Sequence, residues 1–472
     1  MRILPMLALW AATSAAMAAP ASAPAPQPET DASAHPSTHE FSLDNGLKVI
    51  VREDHRAPVV VSQVWYKVGS SYETSGITGV SHMLEHMMFK GTENLAPGEF
   101  SRIISEAGGS ENAFTGTDYT AYFQTLAADQ LEVSLRLEAE RMHRLKLDAQ
   151  EFEKERRVVM EERRLRTEDR PTGLLYEQFN ATSFLSHPYR NPVIGWMEDI
   201  EAYDLADLQR WYEQWYMPSN AVLVVAGDVQ PQAVLDLARK YFADIPAGEP
   251  AAPKPRGEIV QRGERRLEVK VPARVPHLML GYHVPNLVAD AGQDESYALD
   301  VLAGVLDGGE SARLASRLRR GQEVAASASA GYRGVTRDPH LFTLSAVPAS
   351  DHTLEELEAA LRAEVQRLRD ELVTPEELAR VQAQVVAGEI YERDSLFYQA
   401  MQIGLLETVG LPWQLLDEYV ERIRAVTAEQ VRAVARKYLH DDNLTVAWLH
   451  PLPLESAPRR PAVSPEALRH GG

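Results

Sequence analysis

The chain has 472 residues and a formal net charge of −20, and 44% of its residues are hydrophobic. A chain of this length exceeds one ordinary hydrophobic core, so at least two domains are expected. The strong negative charge argues against a nucleic-acid-binding surface, and the absence of cysteine excludes disulfides and thiolate metal ligands.

The first residues have the pattern of a secretory signal. Arg2 supplies the positive start, Ile3 to Ala12 form a short apolar run, and Ala16-Met17-Ala18 is a small-residue cleavage site. The apolar run is too short to span a bilayer, and no second long apolar stretch follows. The sequence therefore predicts a signal peptide over 1–18, a disordered Ala- and Pro-rich leader over 19–38, and export to the periplasm without a membrane span.

The next segment predicts strands followed by helices. Asp44-Asn45-Gly46 is typical of a hairpin turn, and Val59 to Val68 predicts a strand that leads into a helix. Long helical patterns run from 130 to 145 and from 148 to about 167.

The helix after this strand carries His82, Glu85 and His86 in the order H-x-x-E-H. Positions i and i+4 lie on one face of a helix, so both imidazoles can bind a single ion. A hydrolytic zinc site needs neutral nitrogen ligands and a base for a metal-activated water, and Glu85 borders the same face. This order of residues is the signature of the inverzincins.

An alternative is that these are two surface histidines beside an acid. The motif lies among apolar residues such as Met83 and Leu84, which indicate a largely buried helix. Polar side chains in such a helix would be costly without partners, and this favours a metal site.

A catalytic zinc ion usually takes three protein ligands, so a third is needed. In the helix downstream, Phe152, Glu155, Val159 and Glu162 recur on one face. Carboxylates on an inward stripe need partners, so Glu162 is predicted to be the third ligand and Glu155 to orient a ligand or the water. Glu161 lies about 100° around the helix axis, and a solvated role is favoured for it.

The two halves of the chain end in similar stretches. Asp204 corresponds to Thr427 and Trp215 to Tyr438 without a gap, which indicates a duplicated domain. The patterns predict the following segments: N-terminal zinc domain 39–244, linker 245–264, C-terminal homologous domain 265–455 and disordered tail 456–472.

The repeat fails at the zinc motif. Aligning Gly91 with Gly308 places the motif residues on Leu299, Leu302 and Ala303. The second copy is therefore predicted to keep the helix and to lack the metal.

The chain resembles the pitrilysin/insulinase family of zinc metallopeptidases, in the compact form that includes the mitochondrial processing peptidase β subunit. The resemblance covers essentially the whole mature chain. The stretches that carry it are His82-Met83-Leu84-Glu85-His86, Phe89-Lys90-Gly91-Thr92, Gly108 to Thr115, and Glu155 to Glu162.

This resemblance implies an α+β fold of two homologous domains arranged as a clamshell. Each domain would be an antiparallel sheet of about six strands backed by helices. His82, His86 and Glu162 would bind one Zn²⁺, with Glu85 as general base and Glu155 beside the ligands. The strand of Asn112, Ala113 and Phe114 would pair with the backbone of a peptide substrate.

The family also carries an Arg and a Tyr in its second domain that bind substrate and steady the reacting carbonyl. Arg319 matches the Arg, but the position of the Tyr is Ala326. Tyr332 is nearby and is interpreted as a strand residue. Loss of such a donor could cost on the order of 10²–10³ in rate. Another residue could substitute, the enzyme could be slow, or a homologous chain could supply the pair, and the last is preferred.

The sequence therefore predicts an exported zinc endopeptidase that hydrolyses unfolded peptides or protein fragments, as a homodimer or a heterodimer with a homologous chain. The alternative is a non-catalytic or weakly active subunit that binds peptides or a partner chain. The intact set of His82, Glu85, His86 and Glu162 argues against that alternative.

Overall fold

The computed structural model describes residues 37–252, 256–290, 292 and 294–454. The predicted signal peptide and the predicted tail lie outside these residues. The predicted leader ends too late, because the first strand begins at Thr38.

The N-terminal half is built on a six-stranded sheet. Its strands are β1 (Thr38–Ser42), β2 (Lys48–Glu53), β3 (Val59–Tyr66), β4 (Ser110–Thr115), β5 (Thr120–Ala127) and β6 (Ala221–Gly227). They lie in the order β1-β2-β6-β3-β5-β4, so β4 forms an edge. The predicted hairpin is confirmed: β1 pairs antiparallel with β2, and Gly46 in the turn has a φ of 86°.

The C-terminal half repeats this arrangement in five strands. They are β7 (Arg265–Pro272), β8 (His277–Val284), β9 (Ala325–Gly331), β10 (His340–Pro348) and β11 (Leu444–Leu452). Their order, β7-β11-β8-β10-β9, matches that of the first sheet without β1. The same connectivity in both halves confirms the predicted duplication.

Helices pack on both sheets. The N-terminal helices are α1 (Val80–Met87), α2 (Glu99–Glu106), α3 (Leu131–Arg144), α4 (Ala149–Arg163), α5 (Pro171–Ser183), α6 (Met197–Ala202), α7 (Leu205–Trp215) and α8 (Pro231–Phe242). The C-terminal helices are α9 (Asp294–Asp307), α10 (Leu354–Asp370), α11 (Pro375–Glu392), α12 (Leu396–Val409), α13 (Leu415–Ala425) and α14 (Ala428–Tyr438). π-Helical turns cover Arg164–Glu168 and Leu314–Arg319.

The predicted fold class, two sheets backed by helices, is confirmed, with one difference in each sheet. β2 runs parallel to β6, and β7 runs parallel to β11, while the other pairs are antiparallel. The exception is allowed by the topology, because in each half three other strands and several helices separate the two paired strands, which gives the chain room to return in the same direction.

The repeated helices α7 and α14 begin in the same way. Asp204 and Thr427 each form a capping box, in which the cap side chain and the side chain three residues later exchange hydrogen bonds with the backbone. The strand that follows each helix, β6 or β11, pairs with a strand near the start of the same half, β2 or β7. The local sequence therefore determined both helix starts.

One helix of each half packs on the sheet of the other half. Helix α12 of the C-terminal half packs on β3 and β6, and helix α5 of the N-terminal half packs on β7 and β11. Gly404 of α12 lies against the ring of Trp65, and Gly281 lies against the ring of Phe179 of α5. In each case the missing side chain of the glycine leaves room for the aromatic ring. Each sheet is therefore completed by the other half of the chain.

We predict that Gly404→Ala destabilises the protein. A β-carbon at this position would overlap the Trp65 ring, which is fully buried. Overpacking of this kind costs about 1–3 kcal/mol, measurable as a lower midpoint of denaturant unfolding.

The matched control is Gly388→Ala. Gly388 also lies inside a helix, but a β-carbon there would contact nothing within 4 Å. This variant should gain roughly 0.5–1 kcal/mol from helix propensity. Equal midpoints for the two variants would contradict the described packing of α12 on β3.

Candidate metal centre

Helix α1 carries both motif histidines. Met83, Leu84 and Met87 are fully buried in the N-terminal core and fix the rotation of the helix. His82 and His86 lie on the same remaining face, with ring centroids 4.8 Å apart. The i, i+4 spacing therefore brings the two imidazoles together as expected.

A buried carboxylate outside the helix holds the start of α1. Glu73 accepts hydrogen bonds from the backbone N–H groups of Gly79 (2.7 Å) and Ser81 (2.9 Å), donors that a helix start leaves unpaired. Burial raises the pKa of Glu73 to about 8. Gly79 has a φ of 86°, and a side chain there would overlap the carbonyl oxygen of Ile194. The helix start is fixed on both sides.

Helix α4 brings the two glutamates to the histidines. It begins after Asp148, whose side chain caps two backbone N–H groups of the first turn. Phe152, Glu155 and Val159 are buried, as the predicted stripe requires, and α4 packs against α1. Glu162 follows one turn later, at the same face.

Three predicted ligands converge where α1 and α4 meet. The Glu162 carboxylate lies 3.7 Å from His82 Nε2 through Oε1 and 3.3 Å from His86 Nε2 through Oε2. One ligand atom from each residue lies within 4.8 Å of the others, and within the described part of the chain no other group of three such residues could hold a metal. Two imidazole nitrogens and a carboxylate fit a zinc ion that keeps a position open for water.

The electrostatics of the cluster suit a cation. Burial lowers the pKa of His82 to about 3, so this imidazole is neutral. Burial raises the pKa of Glu162, but the hydrogen bond with His86 and the nearby positive charges outweigh it and bring the value to about 2. A neutral imidazole and an ionised carboxylate are the forms that bind metals.

Glu155 orients His86. Its carboxylate lies 3.1 Å from His86 Nδ1 and 2.6 Å from Lys90 Nζ. Burial lowers the pKa of His86, but hydrogen bonds with Glu155 and Glu162 outweigh it and raise the value to about 9, so this imidazole is protonated without a metal and a binding ion must displace its Nε2 proton. With Nδ1 held by Glu155, Nε2 faces Glu162. A carboxylate behind a histidine ligand is the usual outer arrangement of a zinc site.

Glu85 lies beside the cluster and is held from strand β4. Thr115 Oγ1 donates a hydrogen bond of 2.5 Å to Glu85 Oε2. Burial raises the pKa of Glu85, and the hydrogen bond from Thr115 opposes that shift. A carboxyl group with a raised pKa can accept and return a proton near neutral pH.

Strand β4 forms the edge of the sheet beside this cluster. Among the described strands it pairs only with β5. Its side chains alternate: Thr115 faces Glu85, whereas the Phe114 ring packs edge-on against Trp65 at 5.4 Å. The side chain of Phe114 is thus partly buried against the core. Ala113 faces the same side as Thr115.

Family models match most of the chain. Residues 48–195 match the model described as Insulinase (Peptidase family M16), and residues 202–385 match the Peptidase M16 inactive domain. The chain belongs to peptidase family M16. The resemblance stated from the sequence motifs is therefore confirmed.

Relatives from this family are named zinc proteases. The chain is 34% identical over 422 residues to zinc protease PqqE of Helicobacter pylori, covering 88% of this chain and 93% of the relative. The crystal structure of a protease from Helicobacter pylori superimposes with a TM-score of 0.83 at 33% identity, over 88% of this chain and 100% of that one.

More distant structures share the fold. The periplasmic protease PqqL from Escherichia coli superimposes with a TM-score of 0.75 at 19% identity, over 91% of this chain and 49% of that chain. The M16 fold is therefore retained in relatives of quite different length.

The C-terminal half agrees with its match to an inactive M16 domain. Helix α9 occupies the place of α1, and Leu299, Leu302 and Ala303 of α9 are buried among apolar residues. The second copy keeps the helix and has apolar side chains at these three positions, and its lack of a metal stays a prediction.

No helix in the described ranges is long and apolar enough to cross a membrane.

The residues of the C-terminal half that the family resemblance singled out have contacts within that half. Arg319 ends a π-helical turn, where it pairs with Glu310. Ala326 lies in the edge strand β9, and Tyr332 follows that strand and donates a hydrogen bond to the Pro285 carbonyl. The prediction of Tyr332 as a strand residue is therefore wrong by one position, since β9 ends at Gly331. A substrate-binding role for Arg319 stays a prediction.

Four residues that contact the metal centre or hold its helix were not predicted from the sequence to be functional. Thr115 lies in the quoted motif and Lys90 is four residues after His86, so each carried a weak positional signal. Arg166, four residues after Glu162, forms an ion pair of 2.5 Å with its Oε1. Glu73 had no signal, because only the fold brings it to α1.

We predict that Glu155→Gln weakens zinc binding about 10–100-fold, because the neutral amide polarises and orients His86 less strongly. The measurement is the zinc dissociation constant from competition with a chelator. Glu153→Gln on the same helix is the control, since Glu153 is half exposed and pairs with Arg156. A Glu155→Gln variant with the affinity of this control would show that Glu155 does not support the metal.

Proposed function

We propose that this protein is an exported zinc endopeptidase that hydrolyses unfolded peptides or protein fragments. The observation that carries the proposal is the convergence of His82, His86 and Glu162, whose ligand atoms all lie within 4.8 Å. Glu85 beside them supplies the base that hydrolysis needs. Membership of the M16 family and the names of the relatives support the same reaction.

In this proposal His82, His86 and Glu162 hold the metal, and Glu155 keeps His86 aligned. Zinc, when bound, polarises the scissile carbonyl and lowers the pKa of a water molecule. The burial of His82 and the ionised state of Glu162 support this assignment.

Glu85 acts as general base and then as general acid. It takes a proton from the attacking water as the new C–O bond forms at the carbonyl carbon. It returns that proton to the amide nitrogen as the C–N bond breaks, and the products are a carboxylic acid and an amine. The hydrogen bond from Thr115 holds the carboxylate in position for both transfers.

The edge of β4 binds the substrate backbone. A peptide in extended form can add to the unpaired edge at Asn112, Ala113 and Phe114. The small Ala113 leaves space on the side of the metal centre. Because backbone groups provide this contact, the sequence of the substrate matters less than its ability to extend, which favours unfolded chains.

Export to the periplasm is part of the proposal. It is supported by the pattern of residues 1–18 and by the related periplasmic protease PqqL. A dimer is also proposed, as a homodimer or with a homologous chain, because Ala326 replaces the family tyrosine and a second chain could supply it.

A second candidate is a non-catalytic or weakly active subunit that binds peptides or a partner chain. Ala326 favours it, as does the match of the C-terminal half to an inactive domain. Both candidates predict zinc binding, so metal content alone does not separate them. Activity does.

We predict that the purified, zinc-loaded protein cleaves a pool of quenched peptides and that Glu85→Gln abolishes the cleavage. The amide cannot accept a proton from water, whereas the metal ligands remain. Glu161→Gln is the control, since Glu161 pairs with Arg164 at 3.1 Å and not with the cluster. Absence of cleavage by a folded, zinc-loaded protein would favour the second candidate.

A further inference from the structure

Arg166 lies at the solvent boundary of the metal centre. Its guanidinium contacts Glu162 Oε1 at 2.5 Å, and 68% of the Arg166 side chain is exposed against 17% of Glu162. Within the described residues Glu162 is its one ion-pair partner. An arginine carries several N–H donors in a planar fork, so donors remain that point away from this single contact.

The backbone of Arg166 is fixed although its side chain is exposed. It belongs to the π-helical turn Arg164–Glu168 that continues α4, a conformation that is frequent at functional sites. A β-carbon on Gly173 of α5 would come within 2.8 Å of the Arg166 carbonyl oxygen, so α5 packs closely behind the turn. Arg163, just before the turn, is buried and pairs with Glu177 at 2.8 Å.

The positive charge of Arg166 acts electrostatically on His82 and Glu85. Burial dominates the pKa shifts of His82 and Glu85, and the positive charge of Arg166 adds a lowering effect on both. When a cation binds Glu162, the attraction of this carboxylate for Arg166 falls. The exposed guanidinium then lies beside the cluster with donors available to another oxygen.

We propose that Arg166 is a catalytic residue that donates hydrogen bonds to the scissile carbonyl oxygen as negative charge develops there. It would supply from within this chain the donor that Ala326 cannot provide. The proposal rests on the peptidase function proposed above, and it commits to one role: stabilising the reacting carbonyl rather than holding the metal.

The neighbouring Arg164 provides a matched comparison. It belongs to the same turn and also pairs with a glutamate, but its partner is Glu161, outside the cluster. Changing either arginine to glutamine removes one exposed guanidinium from the same turn. Only Arg166 should affect binding of a group that resembles the reacting carbonyl.

The test compares Arg166→Gln, Arg166→Lys and Arg164→Gln. The first readout is the dissociation constant of a phosphinic peptide, whose tetrahedral anionic phosphorus resembles the reacting carbonyl. The second is the zinc dissociation constant, and the third is kcat and KM at saturating zinc. For Arg166→Gln we expect weaker phosphinic-peptide binding and lower kcat by about 10²–10³, with KM and zinc affinity unchanged. Arg166→Lys should retain part of the effect, and Arg164→Gln should match the wild type.

Two results would overturn the proposal while leaving the peptidase function intact. The first is an Arg166→Gln variant equal to Arg164→Gln in all readouts. The second is a loss that follows zinc affinity and disappears at saturating zinc, which would make Arg166 a positioning residue for Glu162. A wild-type protein that binds zinc but neither binds the phosphinic peptide nor cleaves peptides would contradict the proposed function itself, and the role of Arg166 with it.

Discussion

The packing of α1 against α4 is the contact on which the candidate site depends. It brings the carboxylate of Glu162 within 3.7 Å of both imidazoles, although the residues lie far apart in the chain. The fixed start of α1, held by Glu73 and by the close approach at Gly79, determines where the histidines lie. A small shift of either helix would separate the ligands, because a metal site tolerates little variation in distance.

The duplicated architecture explains how one half can support the chemistry of the other. Both halves share a strand order, and each sheet is covered by a helix of the other half, but the C-terminal copy has Leu299, Leu302 and Ala303 where the N-terminal copy has the motif residues. Because α5 and α12 each cover the opposite sheet, the halves are bound to each other through their cores. The C-terminal copy is therefore part of the scaffold that supports the candidate metal centre of the N-terminal copy.

Much of this could be predicted from the sequence wherever the relevant spacing lies within one helix. The pairing of His82 with His86, and the choice of Glu162 over Glu161, follow from helical geometry alone. The exchange of α5 and α12 could not be predicted, since apolar helices do not reveal which sheet they cover. Thr115 and Arg166 were missed because a polar residue on a strand or an exposed turn has many ordinary explanations until the fold shows what it contacts.

The most direct test of the account is the zinc content of Glu162→Gln beside that of Glu161→Gln, measured by elemental analysis after dialysis. These neighbouring glutamates have the same chemistry, but only Glu162 contacts the two histidines. The account predicts one zinc ion per chain in the wild type and in Glu161→Gln, and a strong loss in Glu162→Gln. Full zinc content in Glu162→Gln, or equal loss in both variants, would contradict the proposed metal centre.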